Sequence, residues 1–165
     1  MNFTGMLKEN SLKGKVILIT GGGTGLGKSM GKYFMELGAN LIITSRKQEV
    51  LSQTSKEFSN YDGDILPLAG DVRNSSEVKE VIKASLSKFG KIDVLINNAA
   101  GNFISPTERL TTKAFDVIVD IVLKGTYNYS LLIGKNWIEN KQQGVILNIV
   151  TTYAWTGSGF VAPSA

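Results

Sequence analysis

Apolar residues in this chain occur in short unbroken runs, separated by segments in which they recur every three or four positions. Unbroken runs of this length predict strands buried on both faces, as in a parallel sheet covered by helices, and the periodic segments predict helices. The predicted strands are residues 16–20, 41–44, 65–68, 92–96 and 145–150. The predicted helices are residues 28–37, 49–58, 78–89 and 115–140.

The regular alternation of strand and helix predicts an α/β fold in which right-handed crossovers connect parallel strands. The expected architecture is a Rossmann-like doubly wound parallel sheet with strand order 3-2-1-4-5. A chain of 165 residues is long enough for one domain with a sizeable core, and it contains no internal repeat, low-complexity tract or linker. We therefore expect residues 1–165 to form a single domain.

A glycine-rich segment lies between the first predicted strand and the first predicted helix. Glycine lets the backbone turn sharply and approach a diphosphate closely, and the free N–H groups at a helix start attract phosphates. This order of strand, glycine turn and helix is typical of a dinucleotide-binding domain, and an ordinary glycine-rich turn is the alternative. The candidate cofactor-binding residues here are Gly21, Gly22, Gly23, Thr24, Gly25, Leu26 and Gly27.

The end of the second predicted strand indicates which dinucleotide is bound. NAD-binding sheets usually place Asp or Glu near this point to hold the ribose 2′-hydroxyl. This chain has Thr44-Ser45-Arg46-Lys47 instead, and a guanidinium beside a hydroxyl suits a 2′-phosphate. We therefore expect NADPH as the cofactor and Arg46 in contact with it. The alternative is that Arg46 is a solvated residue at the start of a helix.

Asp71 closes the third predicted strand and has two interpretations. Its carboxylate could accept a hydrogen bond from the adenine amino group of the dinucleotide. It could as easily cap the helix that follows Val72, since Asp is a favoured N-cap residue. The sequence leaves both open.

Composition excludes several kinds of chemistry. The chain has no Cys and no His, which excludes disulfides, Cys/His zinc sites and a histidine acid–base catalyst, and we expect no metal site. Its net charge of +4 comes from scattered lysines, which favours phosphorylated small molecules over nucleic acid as partners. No apolar run reaches membrane-spanning length, and the first residues lack a secretory signal pattern. We expect a cytoplasmic protein, with the mitochondrial or peroxisomal matrix as alternatives.

The chain resembles the short-chain dehydrogenase/reductase family in Thr20-Gly21-x-x-x-Gly25-x-Gly27, Asp71-Val72 and Asn97-Asn98-Ala99-Ala100-Gly101. Two longer strings resemble, within that family, the NADPH-dependent 2,4-dienoyl-CoA reductases of fatty-acid β-oxidation. They are residues 98–110 (NAAGNFISPTERL), and residues 153–160 (YAWTGSGF) with Pro163-Ser164-Ala165. The resemblance extends from about Leu12 to the last residue.

Two departures from the general short-chain pattern agree with the narrower resemblance. Most members place Lys four residues after the catalytic Tyr, whereas Gly157 follows Tyr153 at that spacing. Most also carry Asn in the helix after the fourth strand, where this chain has Val122. The dienoyl-CoA reductase pattern shares both departures. By resemblance, the catalytic residues are Tyr153, Asn102 and Ser164, and the acyl-CoA contacts are Arg73, Phe103 and Thr111.

The resemblance implies that a 2,4-dienoyl-CoA is reduced to a 3-enoyl-CoA. Hydride adds at the far end of the conjugated diene, so negative charge collects on the thioester oxygen and requires hydrogen-bond donors. The phenol of Tyr153 and the carboxamide of Asn102 would supply them, and a proton would then add at carbon 2. Arg73 would meet a CoA phosphate, and a surface arginine at a helix start is the alternative.

The Lys of the family pattern would lie just beyond Ala165, and the later strands of the family have no counterpart in this sequence. We expect an N-terminal fragment of a reductase, inactive by itself, whose fifth strand has an open apolar edge. The alternatives are a short non-catalytic nucleotide-binding protein and a carbonyl or 3-ketoacyl reductase, although the absent Tyr-x-x-x-Lys argues against the latter. The resemblance also implies a homo-oligomer formed through the long helix after the fourth strand.

Overall fold

The computed structural model describes residues 7–164, and its helices and strands follow the predicted order. The strands are β1 (Val16–Thr20), β2 (Asn40–Ser45), β3 (Ile65–Ala69), β4 (Val94–Asn97) and β5 (Val145–Asn148). The helices are α1 (Gly25–Glu36), α2 (Gln48–Glu57), α3 (Ser75–Phe89), α4 (Thr112–Val119), α5 (Gly125–Glu139) and α6 (Tyr153–Thr156). All strand pairs are parallel and the order is β3-β2-β1-β4-β5, which confirms the predicted Rossmann-like topology.

The central strand β1 shows why its sequence is apolar without interruption. Leu18 packs into a core cluster shared with α3 and α5, whereas Ile17 and Ile19 pack into a second cluster shared with α1 and α2. All five residues of β1 are buried. Because helices cover both faces of the strand, both alternating sets of side chains must be apolar.

The prediction that every strand is buried on both faces is wrong at the edges of the sheet. The residues of β3 are mostly half-buried, and all four residues of β5 are exposed, with 59% of Val145 accessible to solvent. β5 pairs with β4 on one side, and in the described range no strand lies on its other side. An open apolar edge therefore runs along β5, as the sequence predicts.

Helix α1 begins at Gly25, three residues before its predicted start. Gly25 and Gly27 of the glycine-rich segment therefore lie in the first helical turn rather than in the preceding loop. Glycine disfavours helix formation on its own, so contacts outside the helix must favour this arrangement. The consequence is that the N-terminus of α1 lies within the glycine-rich segment itself.

Helix α3 is capped by Asn74, whose Oδ1 accepts a hydrogen bond from the N–H of Ser76 at 3.1 Å. Gly90 ends the helix in the left-handed conformation, with φ of 73°. The cap at Asn74 means that Asp71 does not cap this helix, so that interpretation of Asp71 is wrong.

The periodicity predicts one continuous helix after β4, but the structure shows an interrupted one. A π-helical turn at Asp120–Lys124 separates α4 from α5. The Cβ of any side chain at Gly125 would lie 2.5 Å from Cγ2 of Val72, so only glycine fits there without movement. The π turn and Gly125 bring the helix close to the residues that follow β3.

The helical run Thr112–Glu139 has the length and composition of a membrane-crossing helix, contrary to the expectation from the sequence. In this fold the run covers the sheet, because Tyr129, Ile133 and Trp137 are buried in the core shared with β1 and α3. A core helix of a globular protein can have the same length and apolar composition. The run is therefore weak evidence for a membrane span.

Tyr129 is the largest side chain that is fully buried in the described core. Its hydroxyl and that of Thr44 in β2 are both buried without a hydrogen-bond partner among residues 7–164. Burial outweighs the opposing influence of the Thr44 hydroxyl and raises the pKa of Tyr129 from 10.0 to about 12. The native state therefore holds the phenolic proton more tightly than the unfolded state.

Replacing Tyr129 by Phe is expected to remove an alkaline loss of stability. The raised pKa does not affect stability below pH 10, but the native protein loses about 1.4 kcal/mol of stability per unit as pH rises from 10 towards 12. At pH 7 the variant should change the free energy of unfolding by less than about 1 kcal/mol, since it deletes an unpartnered hydroxyl. Urea unfolding between neutral and alkaline pH measures both values. An equal alkaline loss in the two proteins would contradict this account.

Candidate nucleotide-binding and active site

A cavity of about 510 Å³ opens at the carboxyl ends of β1, β2, β3 and β4. The chain reverses its direction of winding between β1 and β4, and this is the usual ligand crevice of an open parallel sheet. Of the nine predicted cofactor residues, all but Gly22 and Gly27 line it. The lining residues are Gly21, Gly23, Thr24, Gly25, Leu26, Ser45, Arg46, Lys47, Val50, Gly70, Asp71, Val72, Asn98, Ala99, Ala100 and Ile121.

Gly22 and Gly27 serve the packing around the cavity rather than its surface. The Cβ of a side chain at Gly22 would lie 2.6 Å from Cγ2 of Ile43 in β2. A Cβ at Gly27 would lie 2.4 Å from the carbonyl oxygen of Gly21 and 2.6 Å from Nδ2 of Asn98. Both positions therefore need glycine, because a side chain would collide with these neighbouring atoms. The absence of a side chain at Gly27 lets the first turn of α1 pack directly against the loop.

Polar contacts fix the exits of β1 and β4 to each other. The Thr20 hydroxyl accepts hydrogen bonds from the N–H groups of Asn98 at 3.0 Å and Ala99 at 2.9 Å. In return, Nδ2 of Asn98 donates to the carbonyl oxygen of Thr20 at 3.0 Å. Because Thr20 is buried, these bonds are shielded from water and hold two walls of the cavity at a fixed spacing.

The N-terminus of α1 faces this cavity and fits a diphosphate. Thr24 is the N-cap residue, but its side chain accepts no hydrogen bond from the helix. The first N–H groups of a helix without a side-chain cap are available to an anion, and the helix dipole favours negative charge there. At Gly25, which has φ of 51°, nothing lies within 4 Å of where a Cβ would be, so the backbone is open to a ligand.

Arg46 and Lys47 form a basic pair on the rim of the cavity, directly after β2. Both side chains are exposed, and neither forms an ion pair with another residue in the range 7–164. No carboxylate occupies the end of β2, where an NAD-binding sheet would hold the ribose 2′-hydroxyl. The chemistry of this rim therefore suits a phosphate, and Lys47 adds a second cation to the predicted Arg46.

Asp71 and Arg73 were expected to have separate roles, but they form an ion pair. Nε of Arg73 donates to Oδ1 of Asp71 at 2.9 Å, and Nη2 donates to Oδ2. The backbone N–H of Arg73 also donates to Oδ1, at 3.0 Å. The hydrogen bonds from Arg73 are the main reason why the pKa of Asp71 lies below its ordinary value. Asp71 is therefore ionised at the cavity wall with much of its accepting capacity occupied.

The two strings that resemble dienoyl-CoA reductases lie side by side. The N–H of Ser105 donates to the carbonyl oxygen of Phe160 at 3.0 Å, and that of Thr107 to the carbonyl oxygen of Gly159 at 2.8 Å. Asn102 follows β4 and Tyr153 follows β5, so both lie beyond the carboxyl ends of adjacent parallel strands. Both side chains are exposed, neither lines the 510 Å³ cavity, and no hydrogen bond joins them.

Gly157 gives a structural reason for the missing Tyr-x-x-x-Lys pair. Tyr153 begins α6, which ends at Thr156 after one turn. Gly157 then adopts φ of 67° and ψ of 173°, a conformation that side-chain-bearing residues rarely reach. A lysine could not follow Tyr153 on the same helical turn without a change in this backbone.

The other predicted site residues have different surroundings. The Thr111 hydroxyl accepts a hydrogen bond from the N–H of Ala114 at 3.2 Å and so caps α4, which the sequence did not predict. Phe103 is about half exposed next to Asn102. The side chain of Ser164 lies outside the described part of the structure. In the described range, no group of three or more acidic side chains is placed to hold a metal ion.

Several lining residues were missed, and three of them lack a charged or glycine signature. Asn98, Val72 and Ile121 reach the cavity through strand exits and the π turn. The signal for Asn98 is its place directly after the fourth strand, since residues at strand exits of a parallel sheet line the crevice. The signal for Lys47 is its place beside Arg46. Nothing in the sequence pattern indicates Ile121, because its position depends on the π turn.

Comparisons with known proteins agree with this geometry. "Probable 2,4-dienoyl-CoA reductase [(2E)-enoyl-CoA-producing]" of Bacillus subtilis (strain 168) is 45% identical over 152 residues, which cover 92% of this chain and 60% of that protein. "Probable 2,4-dienoyl-CoA reductase 3 [(3E)-enoyl-CoA-producing]" of Caenorhabditis elegans is 44% identical over 162 residues, covering 97% of this chain and 52% of that protein. The chain thus spans about half to three-fifths of the length of these relatives.

A crystal structure of a short chain dehydrogenase from Bacillus anthracis superposes with a TM-score of 0.90 at 44% identity, covering 94% of this chain and 62% of that one. The sequence profile of the short chain dehydrogenase family matches residues 15–163. That match includes the whole sheet, the glycine-rich segment and the segment with Tyr153. The chain therefore belongs to the short-chain dehydrogenase/reductase family.

Proposed function

We propose that the protein containing this chain uses NADPH to reduce a 2,4-dienoyl-CoA to a 3-enoyl-CoA in the β-oxidation of unsaturated fatty acids. The observation that carries the proposal is that backbone hydrogen bonds join the Asn102 and Tyr153 segments, with Gly157 at the position of the usual Lys. The relatives named 2,4-dienoyl-CoA reductases support the same substrate class. Because the chain spans only part of their length, we place this activity in the full-length protein and expect the 165 residues alone to be inactive.

The dinucleotide would lie along the carboxyl edge of the sheet. The open N-terminus of α1 and the backbone at Gly25 would hold its diphosphate, and Arg46 with Lys47 would hold a 2′-phosphate. Asp71, already paired with Arg73, would meet the adenine amino group with its remaining accepting capacity. The chemistry that NADPH supplies when bound is a hydride, while these residues bind and orient it.

Arg46→Ala is expected to weaken NADPH binding by about 1.5–3 kcal/mol and to leave NADH binding nearly unchanged, because only NADPH carries the 2′-phosphate. Titration calorimetry of the full-length protein with both dinucleotides measures the two affinities. Lys83→Ala removes the same charge from an exposed position on α3 and is the matched control. Equal affinity of the unsubstituted protein for NADPH and NADH would contradict the role of Arg46.

The residues of the second segment would act on the thioester. As charge develops on the thioester oxygen, the Tyr153 hydroxyl and the Asn102 amide would donate hydrogen bonds to it. Phe103, half exposed beside Asn102, and the exposed Trp155 and Phe160 would supply apolar surface for the acyl chain. Arg73 keeps one terminal nitrogen free of Asp71 and would meet a CoA phosphate. Thr111 is proposed to contact the substrate, and Ser164 is proposed as a catalytic residue together with Tyr153 and Asn102.

The site of protonation determines the product. Addition of the proton at carbon 2 gives the proposed 3-enoyl-CoA, whereas addition at carbon 4 gives a 2-enoyl-CoA. The names of the two relatives differ on this point, since the Bacillus subtilis protein is described as (2E)-enoyl-producing and the Caenorhabditis elegans protein as (3E)-enoyl-producing. Product analysis by NMR is therefore part of the functional test.

The test is NADPH oxidation by the full-length protein with 2,4-hexadienoyl-CoA and, separately, acetoacetyl-CoA. Turnover of the dienoyl substrate with formation of a 3-enoyl product supports the proposal. Turnover of acetoacetyl-CoA alone would favour the alternative, a carbonyl or 3-ketoacyl reductase. Binding of NADPH without turnover of either substrate would favour a nucleotide-binding protein that is not an enzyme.

The long helical run also supports the expected homo-oligomer. It presents a stripe of exposed apolar residues at helical spacing, and a stripe of this kind is typical of a subunit interface. These residues are Phe115, Leu123, Tyr127, Leu131 and Ile138. The proposed partner across it is a second copy of the chain.

The proposed location is the cytoplasm, with the mitochondrial or peroxisomal matrix as alternatives.

A further inference from the structure

Thr54 lies on the buried face of α2, yet it is polar. Only 1% of the residue is accessible to solvent, and its neighbours on that face, Leu51 and Phe58, are core residues. The Thr54 hydroxyl donates a hydrogen bond of 2.9 Å to the carbonyl oxygen of Gly23. Valine has the same shape and would fill this position, so the hydroxyl serves the contact with the loop rather than the core.

The contact fixes one peptide group of the glycine-rich loop. The carbonyl of Gly23 and the N–H of Thr24 belong to the same planar peptide unit and point in opposite directions. A bond that holds the carbonyl towards α2 therefore turns the Thr24 N–H away from α2. Thr24 lines the cavity, and its N–H has no hydrogen-bond acceptor among the residues that the structure describes.

Packing keeps the same part of the loop close to α2. The Cβ of a side chain at Gly23 would lie 3.1 Å from Cγ1 of Val50 and 3.3 Å from Cδ2 of Leu51. At its first residue, α2 is tied to the exit of β3, because Oε1 of Gln48 accepts a hydrogen bond of 3.0 Å from the N–H of Ala69. The helix thus connects the glycine loop with the rim that carries Arg46 and Lys47.

We propose that Thr54 is a positioning residue of the nucleotide site, whose hydroxyl orients the Thr24 N–H to donate to the diphosphate of the bound dinucleotide. This role rests on the proposed function, in that a dinucleotide must bind there. It differs from the role of Arg46, because the diphosphate is common to NADPH and NADH whereas the 2′-phosphate is not.

The test compares Thr54→Val, which keeps the shape and removes the donor, with Thr54→Ser, which keeps the donor. Thr54→Val is expected to weaken NADPH and NADH binding equally, by about tenfold each, and Thr54→Ser to remain within about threefold of the unsubstituted protein. Ser85→Ala is the matched control, since the Ser85 hydroxyl is also buried and donates to the carbonyl of Val81, within α3, which packs into the other core cluster. It should lower stability and leave both affinities unchanged.

A second measurement uses the unsubstituted full-length protein. On titration with NADH, the amide resonance of Thr24 is expected to shift downfield and its hydrogen exchange to slow, because the N–H gains an acceptor. An unchanged Thr24 resonance, or a folded Thr54→Val variant that binds both dinucleotides normally, overturns the role of Thr54 while leaving the proposed function intact. If the unsubstituted protein binds neither dinucleotide, the proposed function and this role both fail.

Discussion

Replacing Tyr153 by Phe in the full-length protein is expected to lower kcat for a dienoyl-CoA by about 10²–10³-fold with little change in NADPH affinity. The substitution deletes one hydroxyl from an exposed side chain at the start of α6, so the fold should not be affected. In its proposed role the hydroxyl matters only when charge develops on the thioester oxygen, so its loss is expected to affect turnover rather than binding. Steady-state kinetics and calorimetry separate the two.

Asn102→Ala is expected to have an effect of the same order, because it removes the second proposed donor to the same oxygen. Tyr127→Phe is the matched control, since Tyr127 is also an exposed tyrosine but lies on α5, and the change keeps the apolar ring that it gives to the proposed subunit interface. Its turnover should equal that of the unsubstituted protein. Normal turnover in both site variants would mean that the thioester oxygen is held by other groups.

Gly27→Ala is expected to destabilise the protein by about 3 kcal/mol and to abolish dinucleotide binding. The added methyl group would lie 2.4 Å from the Gly21 carbonyl oxygen, which is backbone and cannot move without distorting the loop. Relief of this clash requires α1 to shift away from the loop that lines the cavity. Urea unfolding gives the stability change, and NADPH titration gives the affinity.

Gly134→Ala provides the comparison for Gly27→Ala. Gly134 lies in the interior of α5, and nothing lies within 4 Å of where its Cβ would be. The same chemical change there should stabilise the protein by about 0.5–1 kcal/mol, because alanine favours a helix over glycine. A Gly27→Ala variant that is as stable as Gly134→Ala would refute the packing role of Gly27.

The sheet could be predicted from the sequence because its order depends on the alternation of buried strands and helices. Leu18 and Ile19 pack into opposite cores, and this requirement is visible as an unbroken apolar run. The start of α1 could not be predicted in the same way. Gly27 is helical because it packs against the Gly21 carbonyl, and this tertiary contact overrides the weak helix propensity of glycine.

The site was predictable where one residue type determines the chemistry. Arg46 could be placed at the site because no acid follows β2, and it does line the cavity, while its contact with a 2′-phosphate stays a prediction. The pairing of Asp71 with Arg73 depends on the conformation of the turn after β3 and has no periodic signal. The N-cap of α3 did have a sequence signal, since Asn74 is followed three residues later by Glu77. In the structure, Nδ2 of Asn74 donates a hydrogen bond to Oε1 of Glu77 at 2.7 Å.

Arg46 lies on the exposed rim of the cavity, whereas the glycine loop is packed against the core, and this difference has a consequence for redesign. The glycine loop is tied to the core at Gly22, Gly27 and Thr54, so changes to it carry a penalty in folding. Arg46 and Lys47 are exposed on the rim and form no ion pair in the described range. If Arg46 and Lys47 hold a 2′-phosphate as proposed, coenzyme preference is an evolvable trait, since two surface residues can be exchanged while the scaffold stays the same.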